Sequence, residues 1–303
     1  YHRILFRPGY SVQARELTQI QSILQNQIEK FANEVIVDGT VVSGCSVKVR
    51  TINYVKLRDK DFANSRIVLL NDFYDSGKIA NVVVTGTLSG VQARLIDVRD
   101  GSEVGIPNNL TMFVDYLNSG TDKATKVFNN DEELIFTTNG QTRSAGFKFA
   151  ANTIKADSFG DSTGKGLYAT VSDGTIYHKG HFIHVEPQGT VASKYDLTAN
   201  VNIGFETRES IVDSNQDVSL LDNATGATNF SAPGANRLKL TPTLATRARG
   251  VANTQTFFTI AEMDNGEIVR RNTDTRYAEI SNHIAAGVYD SHGNFAMEPF
   301  NVR

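Results

Sequence analysis

A single cysteine, Cys45, stands in 303 residues, which excludes an intrachain disulfide and any zinc site built on cysteines. Long apolar runs are missing too. Ile67-Val68-Leu69-Leu70 is typical of the longest and far too short to span a bilayer, so no membrane association is expected. Positive charge is not in excess: 30 Lys and Arg face 33 Asp and Glu, a net charge of -3. Neutralising phosphates needs a surplus of Lys and Arg, so nucleic acid is not an expected partner. No secretory signal precedes the first structured residues. The initiator Met is absent, so Tyr1 reads as an internal residue of a longer protein. What is present suits a globular chain with a real core, since 40% of residues are apolar and 21% charged. Two or three packed domains fit this length.

Residues 11–35 read as the one long helix. Ser11 can cap it after Pro8-Gly9, and Leu17, Ile20, Leu24, Ile28 and Phe31 recur at spacings of three and four. Its flanks are amide-rich, with Gln13, Gln19, Gln21, Gln25 and Gln27. Such a stripe docks on its own sheet or on copies of itself around a symmetry axis, and both readings stand. Beyond Val35 the texture changes to short Val, Ile, Thr and Tyr segments between Gly, Asn and Asp turns. The expected fold is therefore mainly β, with short-stranded antiparallel domains of sandwich or barrel type. Strands are predicted at 47–55, 82–88, 92–98, 110–116, 133–138, 147–151, 167–171, 175–178 and 181–187. Asp100-Gly101, Asn139-Gly140, Asp173-Gly174 and Asn265-Gly266 fit hairpin turns. A short C-terminal helix is predicted at 275–286, ending at Gly287 and followed by a turn at 290–294. The polar stretches 118–125 and 157–166 read as loops. The domain reading is a helical arm at 1–49, a β domain at 50–156 and a second β domain at 157–303.

Chemistry-bearing patterns are few. His178-x-x-His181-x-x-His184 is the most ligand-like. However, Lys179-Gly180 forms a turn between the first two, and His181 and His184 point to opposite faces of one strand. They converge only through a bulge or around a three-fold axis, so no metal and no cofactor are assigned. Asp131-Glu132-Glu133 reads as a solvated charge run. Asp72 and Asp75 flank Tyr74 without the alternation of a calcium loop. No G-x-S-x-G, phosphate-binding glycine loop or H-E-x-x-H occurs, and the chain is read as no enzyme. The stretch 218–238 is specified more sharply than a turn requires. Asp222, Asn223 and Asn229 can bond their own backbone, Pro233-Gly234 turns tightly, and Arg237 can anchor the loop. It is either a structural junction bridging two sheets or a polar ligand site.

Three strings carry a resemblance. They are Arg7-Pro8-Gly9 with Gln13-Ala14-Arg15-Glu16-Leu17 and Gln21 to Glu29; Asp222-Asn223-Ala224 with Asn229 and Ala232-Pro233-Gly234-Ala235; and Tyr289 to Phe295 with Pro299-Phe300-Asn301-Val302. Together they resemble tail fibre and baseplate structural proteins of tailed bacteriophages, common in cyanophages and other contractile-tailed phages. Residues 50–160 match least well. The resemblance implies a virion protein of the tail, assembled in the host cytoplasm as a homotrimer through Leu17, Ile20, Leu24, Ile28 and Phe31. It would connect the tail or baseplate to distal fibres. A module recognising host-surface glycans is the alternative, weakened by the absence of Trp, since aromatic rings stack on sugars.

Overall fold

The computed structural model describes residues 2–58, 73–75, 78–79, 82–101, 110–137, 154–155, 162–226, 228–271, 284, 287–291 and 293. The fold is mainly β, with antiparallel sheets, one long helix and a short C-terminal helix. The helix α1 (Ala14–Val35) starts two residues later than Ser11 implies: Gln13 is the N-cap, and the Glu16 carboxylate reaches back to its N–H at 2.9 Å. The chain turns extended at Ile36, within the β-branched run Val35-Ile36-Val37. There follow β1 (Thr40–Gly44), β2 (Val47–Lys56), β3 (Tyr74–Asp75), β4 (Lys78–Ile79), β5 (Val83–Gly86) and β6 (Gln92–Arg99). Then come β7 (Thr111–Tyr116), β8 (Glu133–Thr137), β9 (Ile154–Lys155), β10 (Thr163–Val171), β11 (Gly174–His178) and β12 (His181–Val185). The last are β13 (Gln188–Ser193), β14 (Val201–Val212), β15 (Arg237–Ala248), β16 (Phe257–Asp264) and β17 (Glu267–Arg271).

The largest sheet has the order β13-β10-β2-β7-β6-β5-β8-β9. It crosses both expected domain boundaries: 49/50 falls inside β2, and β10 reaches across 156/157 to pair with β2 from Thr163 to Val171. The sheet runs unbroken across both, with two cores along one face. Val55, Val84, Leu95, Met112, Val114 and Phe136 build the first core. Val47, Leu167, Ala169 and Val171 build the second, against Ile176 and Ile183 of the β11–β12 hairpin and Ile203, Phe205, Phe258 and Ile260 of the four-stranded sheet β15-β14-β16-β17. The opposite face carries a smaller aromatic group, Tyr54, Phe113 and Tyr168 with Ile52 and Val191. Alternation along each strand sets these faces, and a bulge between Leu95 and Asp97 lets Leu95 and Val98 both enter the first core.

Several expectations change here. Asp173-Gly174 is no hairpin turn, because β10 and β11 lie in different sheets. Lys179-Gly180 and Asn265-Gly266 do turn hairpins, with positive φ at both residues of each pair. Residues 163–166 are strand rather than loop. The C-terminal helix continues through Gly287 to Ser291 and stops where Gly293, at φ +72, donates to the Tyr289 carbonyl at 2.7 Å. The predicted strand 147–151, the Asn139-Gly140 turn, Asp72 and residues 275–283 lie outside the described residues. Glycine is obligatory at 204, where β14 bulges against β16: a Cβ would sit 2.1 Å from the Phe258 carbonyl oxygen.

Candidate functional site: an exposed helix on a clamped root

Among the described residues, α1 bonds to the body from its C-terminal half. Gln25 Nε2 donates to the Gly180 carbonyl at the tip of the β11–β12 hairpin. The Tyr177 hydroxyl donates to Asn33 Oδ1 at 2.8 Å, and Ala32 is fully buried. Gly180, at φ +77, lies so close to Glu29 that a Cβ would come within 3.0 Å of its side chain. At about 100° per residue, Leu17, Leu24, Ile28 and Phe31 fall about a third of a turn away from this anchored face. They are 55%, 59%, 46% and 74% exposed, while Ile20 is half-buried. Four large apolar side chains on one stripe thus face solvent in the single chain. Leu5, Phe6, Tyr10 and Val12 add exposed apolar surface ahead of the helix.

Below the helix a charged clamp fixes the chain's turn into β1. His178 is buried, and its Nδ1 stands 3.1 and 3.2 Å from the two carboxylate oxygens of Asp38. The Lys179 N–H donates to the same carboxylate at 2.8 Å, and Lys179 Nζ pairs with Glu209. His178 Nε2 is buried without a partner beside the Phe258 ring, 4.7 Å between centroids. This geometry places the imidazole proton on Nδ1. Burial alone would raise the Asp38 carboxyl, but the bonds from His178 and Lys179 outweigh it and hold it below its ordinary value of 3.8. A lowered carboxyl binds fewer protons folded than unfolded. Its contribution is thus complete above pH 3.8 and lost as pH falls through the lower folded value. Asp38 is half-exposed, so solvent screens the effect to about 1 kcal/mol or less. Melting curves between neutral pH and about pH 3 should show a steeper acid loss for the unmutated chain than for Asp38→Asn.

The three histidines do not converge. His178 and His181 oppose one another across the hairpin, whereas His184 lies on the other face and pairs with Asp173 at 3.2 Å. Among the described residues no group of three or more His, Cys, Asp or Glu could hold a metal. Cys45 is buried, and burial, then the charge of Asp173, push its thiol up to about 11, so it is a poor nucleophile near neutrality.

The acidic run is corrected. Glu132 is wholly buried, and its carboxylate accepts from the N–H groups of Leu88, Ser89 and Asn129 at 2.6–2.7 Å and from the Ser89 hydroxyl at 2.9 Å. Asp131, at φ +61, turns outward and pairs with Arg58.

The loop within 218–238 joins β14 to β15, adjacent strands of one sheet, so it bridges no pair of sheets. It stands at the end of a two-stranded ribbon, since β16 pairs with β14 only over 201–206 while β15 pairs along the whole strand. Asp222 accepts from the Ala224 N–H at 2.9 Å, and Pro233 forms a bridge with Leu221. Gly234 donates to the Leu220 carbonyl at 2.9 Å, and Arg237 to that of Ala235 at 2.8 Å. Asn223 and Asn229 serve through their backbone carbonyls, to Thr225 and Ala232.

No curated protein and no solved structure matches the chain. Residues 1–64 and 162–303 match a family described as a domain of unknown function (DUF4815). That match spans well over half of the chain, which belongs to this family.

Proposed function

We propose that the chain is a structural connector of a phage virion tail, a baseplate or tail-fibre-base component that self-associates through α1. The observation that carries this reading is the exposed stripe of Leu17, Leu24, Ile28 and Phe31. An apolar helix stripe without a partner among the described residues, on a helix whose other face is anchored, matches a helix that packs on copies of itself. Burying each such side chain contributes roughly 1.5–3 kcal/mol, enough over three chains to hold an assembly. The resemblance of the amino-terminal and loop strings to tail proteins supports the tail location and the three-fold state. The tail-proximal contact is then the segment from Arg7 to Val35, and the distal one is the projecting β14–β15 ribbon with its 213–236 loop. Catalysis and cofactors have no part in this reading.

Deleting residues 1–35 should yield particles that lack the protein, read by immunoblot of purified virions. Shortening the 213–236 loop should leave the protein in place and remove whatever lies farther out. Incorporation of the truncated chain would overturn the role of α1.

A further inference from the structure

We propose that the four-stranded sheet carries, on the face turned away from the core, a binding site for a neutral ligand with vicinal hydroxyl groups, a sugar ring or cyclic polyol. The site is a cavity of about 380 Å³ between the strands and the stretch 249–253, where the chain leaves β15. Strand register builds its floor: Asn202 of β14 stands opposite Glu262 of β16, which stands opposite Arg270 of β17. Ile203 beside it enters the core, so alternation sends Asn202 to the other face.

Asn202 is only 6% exposed. Its Nδ2 donates to the Val251 carbonyl at 3.5 Å, while its Oδ1 is buried with no hydrogen-bond partner among the described residues. A buried amide oxygen without a donor is costly, and a ligand hydroxyl supplies one. Around it donors and acceptors alternate. Arg270 pairs with Glu262 at 3.6 Å, and Arg249 pairs with Asp264 at 2.6 Å. Asn253 accepts from the Thr259 N–H and hydroxyl through Oδ1, so its remaining polar group is the NH2 donor. Each guanidinium on the cavity is matched by a carboxylate, Arg270 by Glu262 within the lining and Arg249 by Asp264 beside it, so neither offers an uncompensated charge to an anion. Adjacent hydroxyls, which both donate and accept, match an amide beside a guanidinium–carboxylate pair. The volume lies within the range of about 300–1,000 Å³ usual for small-molecule sites. Gly250, at φ +84, has nothing within 4 Å of a built Cβ and leaves the mouth open.

This site is independent of α1, and its test is too. The full chain is titrated with methyl α-glucopyranoside, methyl α-galactopyranoside, methyl α-mannopyranoside and myo-inositol, with cyclohexanol, acetate and inorganic phosphate as comparison probes. Binding is read by saturation-transfer NMR. At least one diol should saturate, with a dissociation constant in the millimolar range or below. Asn202→Leu should weaken it at least tenfold. Ala252→Trp, on the exposed stretch over the cavity, should abolish it without lowering the melting temperature, and it carries the test if the buried Asn202 variant fails to fold. Saturation by a free glycoside but not by inositol would point to a sugar residue, and the reverse to a free polyol. Failure of every diol to saturate at tens of millimolar would overturn the proposal. So would a signal unchanged in Ala252→Trp, or acetate or phosphate binding where the diols do not.

Discussion

The double substitution Leu24→Asp, Ile28→Asp is expected to convert an assembly of three chains into single chains of 33.2 kDa while leaving the fold intact. Both halves of that expectation come from exposure. In the single chain these side chains are 59% and 46% exposed, so a carboxylate there costs little beyond helix propensity, about 0.5 kcal/mol per site. In the assembly the same positions lie in an apolar seam, and six buried carboxylates cannot be accommodated. Light scattering should therefore report one third of the parent mass at micromolar concentration, with an unchanged helical signal in circular dichroism. An acidic substitution at Gln19, on the opposite side of the helix, should leave the parent mass as it is. A parent chain that is itself a monomer at that concentration would sink the self-association reading. So would a double variant that unfolds, because that would mean the stripe has a partner within its own chain.

The largest loss of stability from a single residue is expected at Glu132. Its carboxylate satisfies three backbone N–H groups and the Ser89 hydroxyl where the β5–β6 and β7–β8 connections meet, the Ser89 bonds buried and those from Leu88 and Asn129 half-buried. Glu132→Ala removes the acceptor and leaves those donors dry, at about 1 kcal/mol or more for each, so a loss of about 3 kcal/mol or more follows. Glu132→Gln keeps one oxygen and should lose less, about 1–2 kcal/mol. Gly86 is part of the same arrangement, since a Cβ there would stand 2.3 Å from Glu132 Oε1. Denaturant midpoints of the three chains give the comparison directly. Equal midpoints for the alanine variant and the parent would show that water replaces the carboxylate.

Most of the strands from Val47 to Val185 were legible because alternation and turn residues agreed, but the two-residue β3, β4 and β9 and the start of β10 at 163–166 were not. At Lys179-Gly180 even the disposition of the three histidines followed from period and turn alone. The strands after Gln188 were not, for separate physical reasons. β14 is broken by the buried Gly204 and runs on into Glu206 and Arg208-Glu209, whose polarity suits a projecting ribbon with no second layer. β15 contains Pro242, which usually argues against a strand but is tolerated on the edge that β15 forms. β16 begins as a continuous buried run, Phe257 to Ala261, that periodicity cannot tell from a helix. Glu132 escaped notice because adjacent acids look alike in sequence, and only the positive φ of Asp131 turns one inward and the other out. The helix stripe was legible as a stripe. That it is the other face of the helix which docks on the β11–β12 hairpin became clear only from the structure.

One strand pairing has a wider meaning. β2 is an interior strand because β7 hydrogen-bonds along Asn53 to Lys56, and β7 belongs to the stretch 65–161 that the family match skips. A chain pared to the matched residues would present the second half of β2 as bare backbone, a row of unpaired donors and acceptors that recruits any free strand. The skipped stretch therefore works as a stopper.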